Sequence, residues 1–181
     1  MRTDVLWRAL LATTAAGALL TTGAAANAET GGPPRCTTYQ VDVTTEFTDA
    51  AAGHRYARIL LRNEGAACTL TGYSGLQLVA KNGHTLPTDA VHAPASDRPV
   101  VEVALQPYER AAADIDWVVN GPCPPPGRDD DGAEAWQPTF VEVYPSDDGG
   151  HLVLPWTYGW LCGDGDGGPA PINVSPYYAI R

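Results

Sequence analysis

Hydrophobic and polar residues alternate along much of the chain, and a period of two is typical of β-strands that bury one face. In the first such segment Tyr39, Val41, Val43 and Phe47 share one face, with polar residues between them. We therefore predict that these four side chains point into a core. The same alternation predicts further inward-facing sets: Ala57, Ile59 and Leu61; Leu76, Leu78 and Ala80; Val101, Val103 and Leu105; Ala111, Ala113, Ile115 and Trp117.

Turn-forming residues separate these segments. Asn82-Gly83 is a strong hairpin signal because both residues tolerate a positive φ, and residues 84–86 form the predicted returning arm. Pro107-Tyr108 is predicted to turn the chain. Residues 87–99 are proline-rich and lack periodicity, so we predict a surface loop there. Strand patterns resume at 139–144, 151–155 and 172–175.

Together these elements predict an all-β fold. About eight or nine short strands joined by turns, without an amphipathic helix, are typical of a two-sheet antiparallel sandwich. A closed barrel is the alternative. Composition agrees, because 19 glycines and 16 prolines among 181 residues discourage long helices. No internal repeat or linker divides residues 29–181, so we expect them to form a single domain.

Residues 1–28 have the pattern of a secretory signal peptide. Arg2 and Arg8 flank an apolar run over 9–26, and Ala26-Asn27-Ala28 fits the small-x-small site of signal peptidase. A permanent membrane anchor is the competing interpretation, but the run is rich in Thr and Gly and no basic stop-transfer cluster follows. We therefore predict cleavage after Ala28 and a secreted, extracellular domain without a membrane span, free or associated with the cell wall.

The four cysteines are Cys36, Cys68, Cys123 and Cys162, and all of them follow the predicted cleavage point. An even number in an exported domain predicts two disulfides, and three pairings are open at this point. The sequence has no CxxC pair and no close cluster of His and Cys, which zinc or redox sites need. No cofactor and no metal are therefore expected.

The charge is strongly acidic, with 11 basic against 21 acidic residues and a formal net charge of −10. This argues against nucleic acid as a partner, because its phosphates would be repelled. Acidic residues concentrate in 129–166, which would suit a cationic partner or Ca²⁺. The segment 164–168 superficially resembles a calcium loop but lacks the third acid and the distal Glu of the EF-hand. We interpret these residues as solvated loops.

No catalytic signature is present, so no catalytic residue is assigned. Four histidines are scattered without metal-binding spacing: His54, His84, His92 and His151. Asp114 and Asp116 lie on one strand face, whereas a glycosidase pair straddles a cleft, so we expect both to be exposed to solvent. Gly72-Tyr73-Ser74-Gly75 lacks a spacer of the nucleophile elbow and is interpreted as a turn.

Trp156, Tyr158 and Trp160 form the candidate binding face. In an extended segment a period of two places all three rings on one side, where they can stack on sugars or anchor a protein. Leu161 and Cys162 follow directly, and rings beside a disulfide often belong to a core. Core packing is therefore the competing interpretation.

Residues 63–75, N-E-G-A-A-C-T-L-T-G-Y-S-G, resemble the signature of a family of secreted actinobacterial domains, the domain of unknown function 4232. In that family an N-x-G turn leads to C-T-L-x-G-Y-P-G and then to a strand. Residues 103–117 resemble its second motif, in which a Pro-Gly turn joins two strands and the second ends in Trp. The resemblance covers roughly residues 36–176. Ser74 stands where the family usually has Pro, and Tyr108 where it usually has Gly.

The resemblance implies a two-sheet antiparallel immunoglobulin-like sandwich with two disulfides, Cys36–Cys68 and Cys123–Cys162, and no established activity. One fold hosts many functions, so membership does not supply one. We expect a secreted, non-enzymatic, monomeric binding module for an unknown protein or a cell-envelope glycan. The alternative is a secreted hydrolase or an inhibitor of an extracellular enzyme. A concave site with a His or a carboxylate pair would favour the enzyme, and a flat aromatic or acidic face would favour binding.

Overall fold

The computed structural model describes residues 31–93, 98–119, 135–163 and 169–180, and within these ranges the fold is all-β. One three-residue 3-10 turn, Thr38–Gln40, precedes the strands. The strands are β1 (Val41–Ala51), β2 (His54–Asn63), β3 (Cys68–Leu70), β4 (Gly75–Val79), β5 (Thr88–His92), β6 (Val103–Leu105), β7 (Arg110–Val118), β8 (Ala135–Trp136), β9 (Phe140–Tyr144), β10 (Leu152–Pro155), β11 (Leu161–Cys162), β12 (Ala170–Val174) and β13 (Tyr178–Ile180). No helix within the described ranges has the length and apolar character needed to span a bilayer.

The largest sheet has six strands in the order β1-β2-β7-β12-β5, and β13 also pairs with β7. Its strands are antiparallel except at one edge, where β5 runs parallel to β12. This edge corrects the prediction of a surface loop over 87–99, because Thr88–His92 is a strand. The hydroxyl of Thr88 also accepts a hydrogen bond from the Leu78 amide at 3.0 Å, which ties β5 to the neighbouring β4.

A three-stranded sheet in the order β10-β9-β4 and two small two-stranded sheets, β3-β6 and β8-β11, complete the described fold. Alternate residues of the six-stranded and three-stranded sheets share one hydrophobic cluster, to which Val43, Ile59, Leu78 and Val141 belong. The alternation along the sequence correctly predicts the buried residues Ala57, Ile59 and Leu61 of β2, Leu76 and Leu78 of β4, and Ala111, Ala113, Ile115 and Trp117 of β7, whereas Ala80 follows β4 and is half-buried.

The ends of β1 depart from the sequence prediction. Val41 and Val43 are buried as expected, but Tyr39 lies in the 3-10 turn and is 95 % exposed. Phe47 is 51 % exposed because β1 extends past the core, and the pairing register shifts between Phe47 and Asp49. Val101 also lies outside the core, ahead of the first residue of β6.

The N-x-G turn of the sequence motif is built around a buried asparagine. Asn63 is fully buried, and its amide donates to the carbonyls of Ala66 at 2.8 Å and Leu105 at 3.2 Å. Its side-chain oxygen accepts from the Gly65 amide at 2.9 Å. A Cβ at Gly65 would lie 2.6 Å from Cγ of Gln40, so only glycine fits this turn without a shift. Asn63 therefore fixes the loop that leads into β3.

The disulfide Cys36–Cys68 joins the segment before β1 to β3, as the resemblance implied. Two backbone hydrogen bonds reinforce it, from Cys36 to the Thr69 carbonyl at 2.9 Å and from Thr69 to the Pro34 carbonyl at 2.8 Å. Cys162 is buried in β11, and Cys123 lies outside the described residues, so the second predicted pairing stays a prediction.

Candidate functional site

The outer side of the three-stranded sheet is the most distinctive exposed surface among the described residues. Val141 and Val143 of the central strand β9 point inward and are 1 % and 0 % exposed, so the residues between them point outward. We name this surface the open face and define it by its outward aromatic, apolar and titratable side chains: Phe140, Glu142, Tyr144, His151 and Val153.

A tyrosine, a glutamate and a histidine form a connected group on the open face. The Tyr144 hydroxyl donates a hydrogen bond to Oε2 of Glu142 at 2.7 Å. This hydrogen bond is the main cause that raises the pKa of Tyr144 above its usual value. Nε2 of His151 lies 3.8 Å from Oε1 of Glu142, and the imidazole is 5.2 Å from the Tyr144 ring. The three side chains thus present an aromatic ring beside a carboxylate.

Gly75 leaves room for the Tyr144 side chain because it has no side chain of its own. The two residues are directly opposite each other in the pairing of β4 with β9. A Cβ at Gly75 would lie 3.1 Å from Cβ of Tyr144 and 3.6 Å from its ring. A glycine within a strand often marks a site where another group approaches closely, and here that group is the tyrosine.

Apolar side chains surround this group. Val153 is opposite Glu142 and 55 % exposed, and Phe140 is opposite Pro155 and 37 % exposed. Isolated apolar side chains on a surface are ordinary, but a sheet face that combines them with an aromatic ring and a carboxylate is suited to binding. The open face therefore combines apolar, aromatic and acidic side chains on the outer side of one sheet.

Trp156, of the candidate binding face predicted from sequence, lies in the core. It is 6 % exposed, its ring is 4.9 Å from that of Trp117, and its indole N–H donates to the Gly159 carbonyl at 2.7 Å. This is the competing interpretation given above. Tyr158 meets the Trp156 ring edge-on at 5.1 Å and packs partly against the core, while Trp160 is partly exposed. A binding role for Tyr158 and Trp160 stays a prediction.

Asp114 lies on the outer side of the six-stranded sheet and is not freely solvated. It accepts hydrogen bonds from Arg58, Arg98 and Tyr178, each at 2.8 Å. Burial raises the pKa of Asp114, but the bonds from Arg58 and Tyr178 outweigh it and bring that pKa below its usual value. The expectation of solvent exposure is therefore wrong for this residue, because its acceptors are used within the domain.

Asp116 and the histidines outside the open face have structural neighbours as well. Asp116 accepts from Asn173 at 3.0 Å and lies 3.3 Å from Nδ1 of His54. The His92 ring stacks on Tyr73 at 4.0 Å, and His84 is exposed. The described residues hold no group of three His, Cys, Asp or Glu side chains placed to bind a metal. The segment 164–168, considered for calcium, lies outside them.

Two surface grooves lie near Arg110. One of about 310 Å³ is lined by residues of β1 and β2, and one of about 460 Å³ by β6, β13 and the turn that contains Tyr108. Tyr108 has a φ of +67°, which fits the glycine that the related motif has at this position. Each groove has a single carboxylate among its described lining residues and no histidine. Neither groove therefore places a carboxylate and a histidine together as an acid and a base.

The comparisons with known proteins give one match. A family model described as a domain of unknown function (DUF4232) matches residues 36–177. No curated protein and no solved structure matches the chain.

Proposed function

The chain belongs to the DUF4232 family of domains of unknown function, and from that premise we propose that it is a secreted, non-enzymatic binding module that holds a glycan on its open face. One observation carries the proposal. Phe140 and Val153 are exposed and Tyr144 is half-buried beside the Glu142 carboxylate, all on the outer side of one sheet. Such a surface offers both an apolar platform and a hydrogen-bond acceptor.

Chemistry favours a sugar for this surface. The face of an aromatic ring is negative, so it attracts the weakly positive C–H groups that line one side of a sugar ring. Sugar hydroxyls donate hydrogen bonds to carboxylates, and those to a charged acceptor are stronger than neutral ones. Tyr144 and Glu142 are hydrogen-bonded to each other. A single ligand can therefore contact both the aromatic ring and the carboxylate.

The size of the open face favours a short glycan over a protein. The sheet is three strands wide and about five residues long, roughly 14 Å by 17 Å at the usual strand spacing, or about 240 Å². A stable protein interface takes about 800 Å² from each partner. The open face alone supplies less than a third of that area, which is sufficient for a few sugar rings. A protein partner is the second candidate and would need contacts beyond this face.

The alternative of a secreted hydrolase has less support. Hydrolysis needs an acid and a base or nucleophile that converge on one bond in a concave site. Glu142 and His151 are 3.8 Å apart, but neither of them lines the two grooves described near Arg110. The carboxylates Asp114 and Asp116 are held by partners within the domain. Binding without turnover is therefore the function that we propose.

The proposal extends to the architecture. We propose that the six-stranded and three-stranded sheets form an immunoglobulin-like sandwich, which their shared hydrophobic cluster supports. We also propose cleavage after Ala28, export, and a second disulfide, Cys123–Cys162. The disulfide Cys36–Cys68 supports export, because such bonds persist in oxidising compartments. Mass spectrometry of an unreduced digest of the secreted protein tests all three, and a peptide linking Cys123 to any cysteine other than Cys162 would refute the pairing.

Calorimetry of the mature domain against soluble glucan, mannan and chitin oligosaccharides tests the binding function. We expect at least one series to bind, and Tyr144→Ala to weaken that binding about tenfold, equivalent to ~1.4 kcal/mol. Tyr108→Ala is the matched control, because this tyrosine is 70 % exposed and lies on a turn outside the three-stranded sheet. Equal losses in both variants, or no binding of any glycan by the unaltered domain, would overturn the proposal.

A further inference from the structure

One carboxylate oxygen at the centre of the open face has no hydrogen-bond donor among the described residues. Glu142 lies in the middle of β9, between Val153 of β10 and Gln77 of β4. Tyr144 donates to its Oε2, whereas Nε2 of His151 lies 3.8 Å from Oε1, outside hydrogen-bond distance. The Glu142 side chain is 20 % exposed, so it is partly shielded from water but not sealed off from a ligand.

The charges around this oxygen favour a cationic ligand group. The open face contains no Arg or Lys, and Glu142 is its one acid. The whole chain carries a formal net charge of −10, so its field attracts cations and repels anionic ligands. A carboxylate that is partly shielded from water forms a stronger ion pair than one that is fully solvated. Neutral ligands would leave this charge uncompensated.

The neighbouring ring of Tyr144 also favours a cationic ligand group. An ammonium group is attracted to the face of a tyrosine, and the attraction grows when water is displaced. Tyr144 is hydrogen-bonded to Glu142, so a sugar whose ammonium pairs with Oε1 is large enough to contact the tyrosine ring with another part of the same ligand. The carboxylate and the neighbouring ring therefore favour the same class of ligand.

We propose that the open face selects glycans whose sugars carry a free, protonated amino group, with the ammonium paired to Oε1 of Glu142 and the sugar ring packed against Tyr144. This inference rests on the proposed glycan-binding function and specifies its ligand. An acetylated amino sugar has the same ring but lacks the charge. It would keep the packing and lose the ion pair.

The test compares two tetrasaccharides with the same sugar rings, the tetramers of glucosamine and of N-acetylglucosamine, whose amino groups are free and protonated in the first and acetylated and neutral in the second. Calorimetry is done with the mature domain at about pH 6, where amines of this kind are protonated. We expect the glucosamine tetramer to bind about tenfold more tightly or better, since a charge-assisted hydrogen bond replaces a neutral one. Raising the salt concentration should reduce this preference.

Three variants test which side chain causes the preference for the glucosamine tetramer. Glu142→Gln retains an oxygen that can accept from Tyr144 but removes the charge, and it should bind the two tetramers equally. Tyr144→Phe keeps the ring, frees the second carboxylate oxygen and should keep the preference. Glu46→Gln on β1 is the matched control and should leave the preference unchanged, because this acid belongs to the other sheet. Thermal melting establishes that each variant is folded.

The remaining outcomes separate the two proposals. Equal binding of both tetramers by the unaltered domain would overturn the selection for amino groups and leave glycan binding intact. If hexalysine binds as tightly as the glucosamine tetramer, charge alone is recognised and the inference about sugars is wrong. If neither tetramer binds while another glycan does, the amino-group inference fails alone. If no glycan binds, both proposals fail.

Discussion

At the scale of single residues, Asp148 accepts an unusual number of hydrogen bonds for an exposed carboxylate. It accepts hydrogen bonds from the amide and the hydroxyl of Thr38, both at 2.7 Å, and from the Gly150 amide at 3.0 Å. The bond from the Thr38 hydroxyl is the main cause that holds the pKa of Asp148 well below its usual value. Asp148 thereby ties the segment before β1 to the loop between β9 and β10.

This contact predicts a pH dependence of stability. A carboxyl whose pKa is lowered by folding stabilises the protein above its unfolded pKa of about 3.8, and the effect is lost as the pH falls through its folded pKa. We expect Asp148→Asn to be less stable at neutral pH, since an amide nitrogen cannot accept these bonds. The difference from the unaltered protein should narrow below about pH 4 in urea unfolding experiments.

Asp147 supplies the control. Its side chain is 88 % exposed and makes one ion pair, with Arg35 at 3.0 Å, so Asp147→Asn should change stability little. A difference between Asp148→Asn and the unaltered protein that stays constant down to about pH 2 would contradict the role given to the Asp148 charge.

The open face was not identified from the sequence, although a signal for it exists. In the strand F-V-E-V-Y of β9, the valines are the natural inward pair, which leaves Phe140, Glu142 and Tyr144 outside. Alternation alone does not say which of two hydrophobic sets is buried. Only the pairing of β9 with β4 brings Gly75, which is distant in sequence, opposite Tyr144, beside which His151 also lies.

At the scale of secondary structure elements, local patterns were sufficient wherever a strand buries one clear face. The alternating residues of β2 and β7 were predicted correctly, and so was the Asn82-Gly83 turn, where Gly83 has a φ of +82°. β5 was missed because only Ala90 of its short, proline-flanked segment packs against the core. Its pairing partner β12 comes from a distant segment, which no local pattern reveals.

The disulfide between the N-terminal segment and β3 gives a prediction at this scale. Cys36 and Cys68 are 32 residues apart, and a link of that length stabilises by about 3–4 kcal/mol through the unfolded chain's entropy. We expect the double variant Cys36→Ala/Cys68→Ala to lose stability of this order in denaturant unfolding. A loss below about 1 kcal/mol would mean that the backbone bonds of Cys36 and Thr69 hold the segment without the link.

At the scale of the whole molecule, the sheet edges are protected against pairing with another copy. β1 carries a register shift between Phe47 and Asp49 along an edge that also bears Glu46. At the edge of the other sheet, β10 ends in Pro155, which has no N–H to donate. Bulges, charges and prolines are the usual means by which edge strands avoid aggregation.

We therefore expect the mature domain to be a monomer, with edge geometry and a net charge of −10 both opposing association. Sedimentation at about 0.1 mM protein, in low and in high salt, tests this, because salt screens the charge but leaves the edges unchanged. A monomer in both conditions supports the role of the edges. A dimer at low salt would refute the prediction, and a dimer that forms only at high salt would assign the protection to charge alone.

The position of β12 affects the order in which the domain folds as it is synthesised. This strand lies inside the six-stranded sheet, between β7 and β5, although it is next to last in chain order. A polypeptide that emerges N-terminus first therefore leaves β5 without its neighbour until residues 170–174 arrive. Closure of the sheet is a late, non-local event of the kind that slows folding.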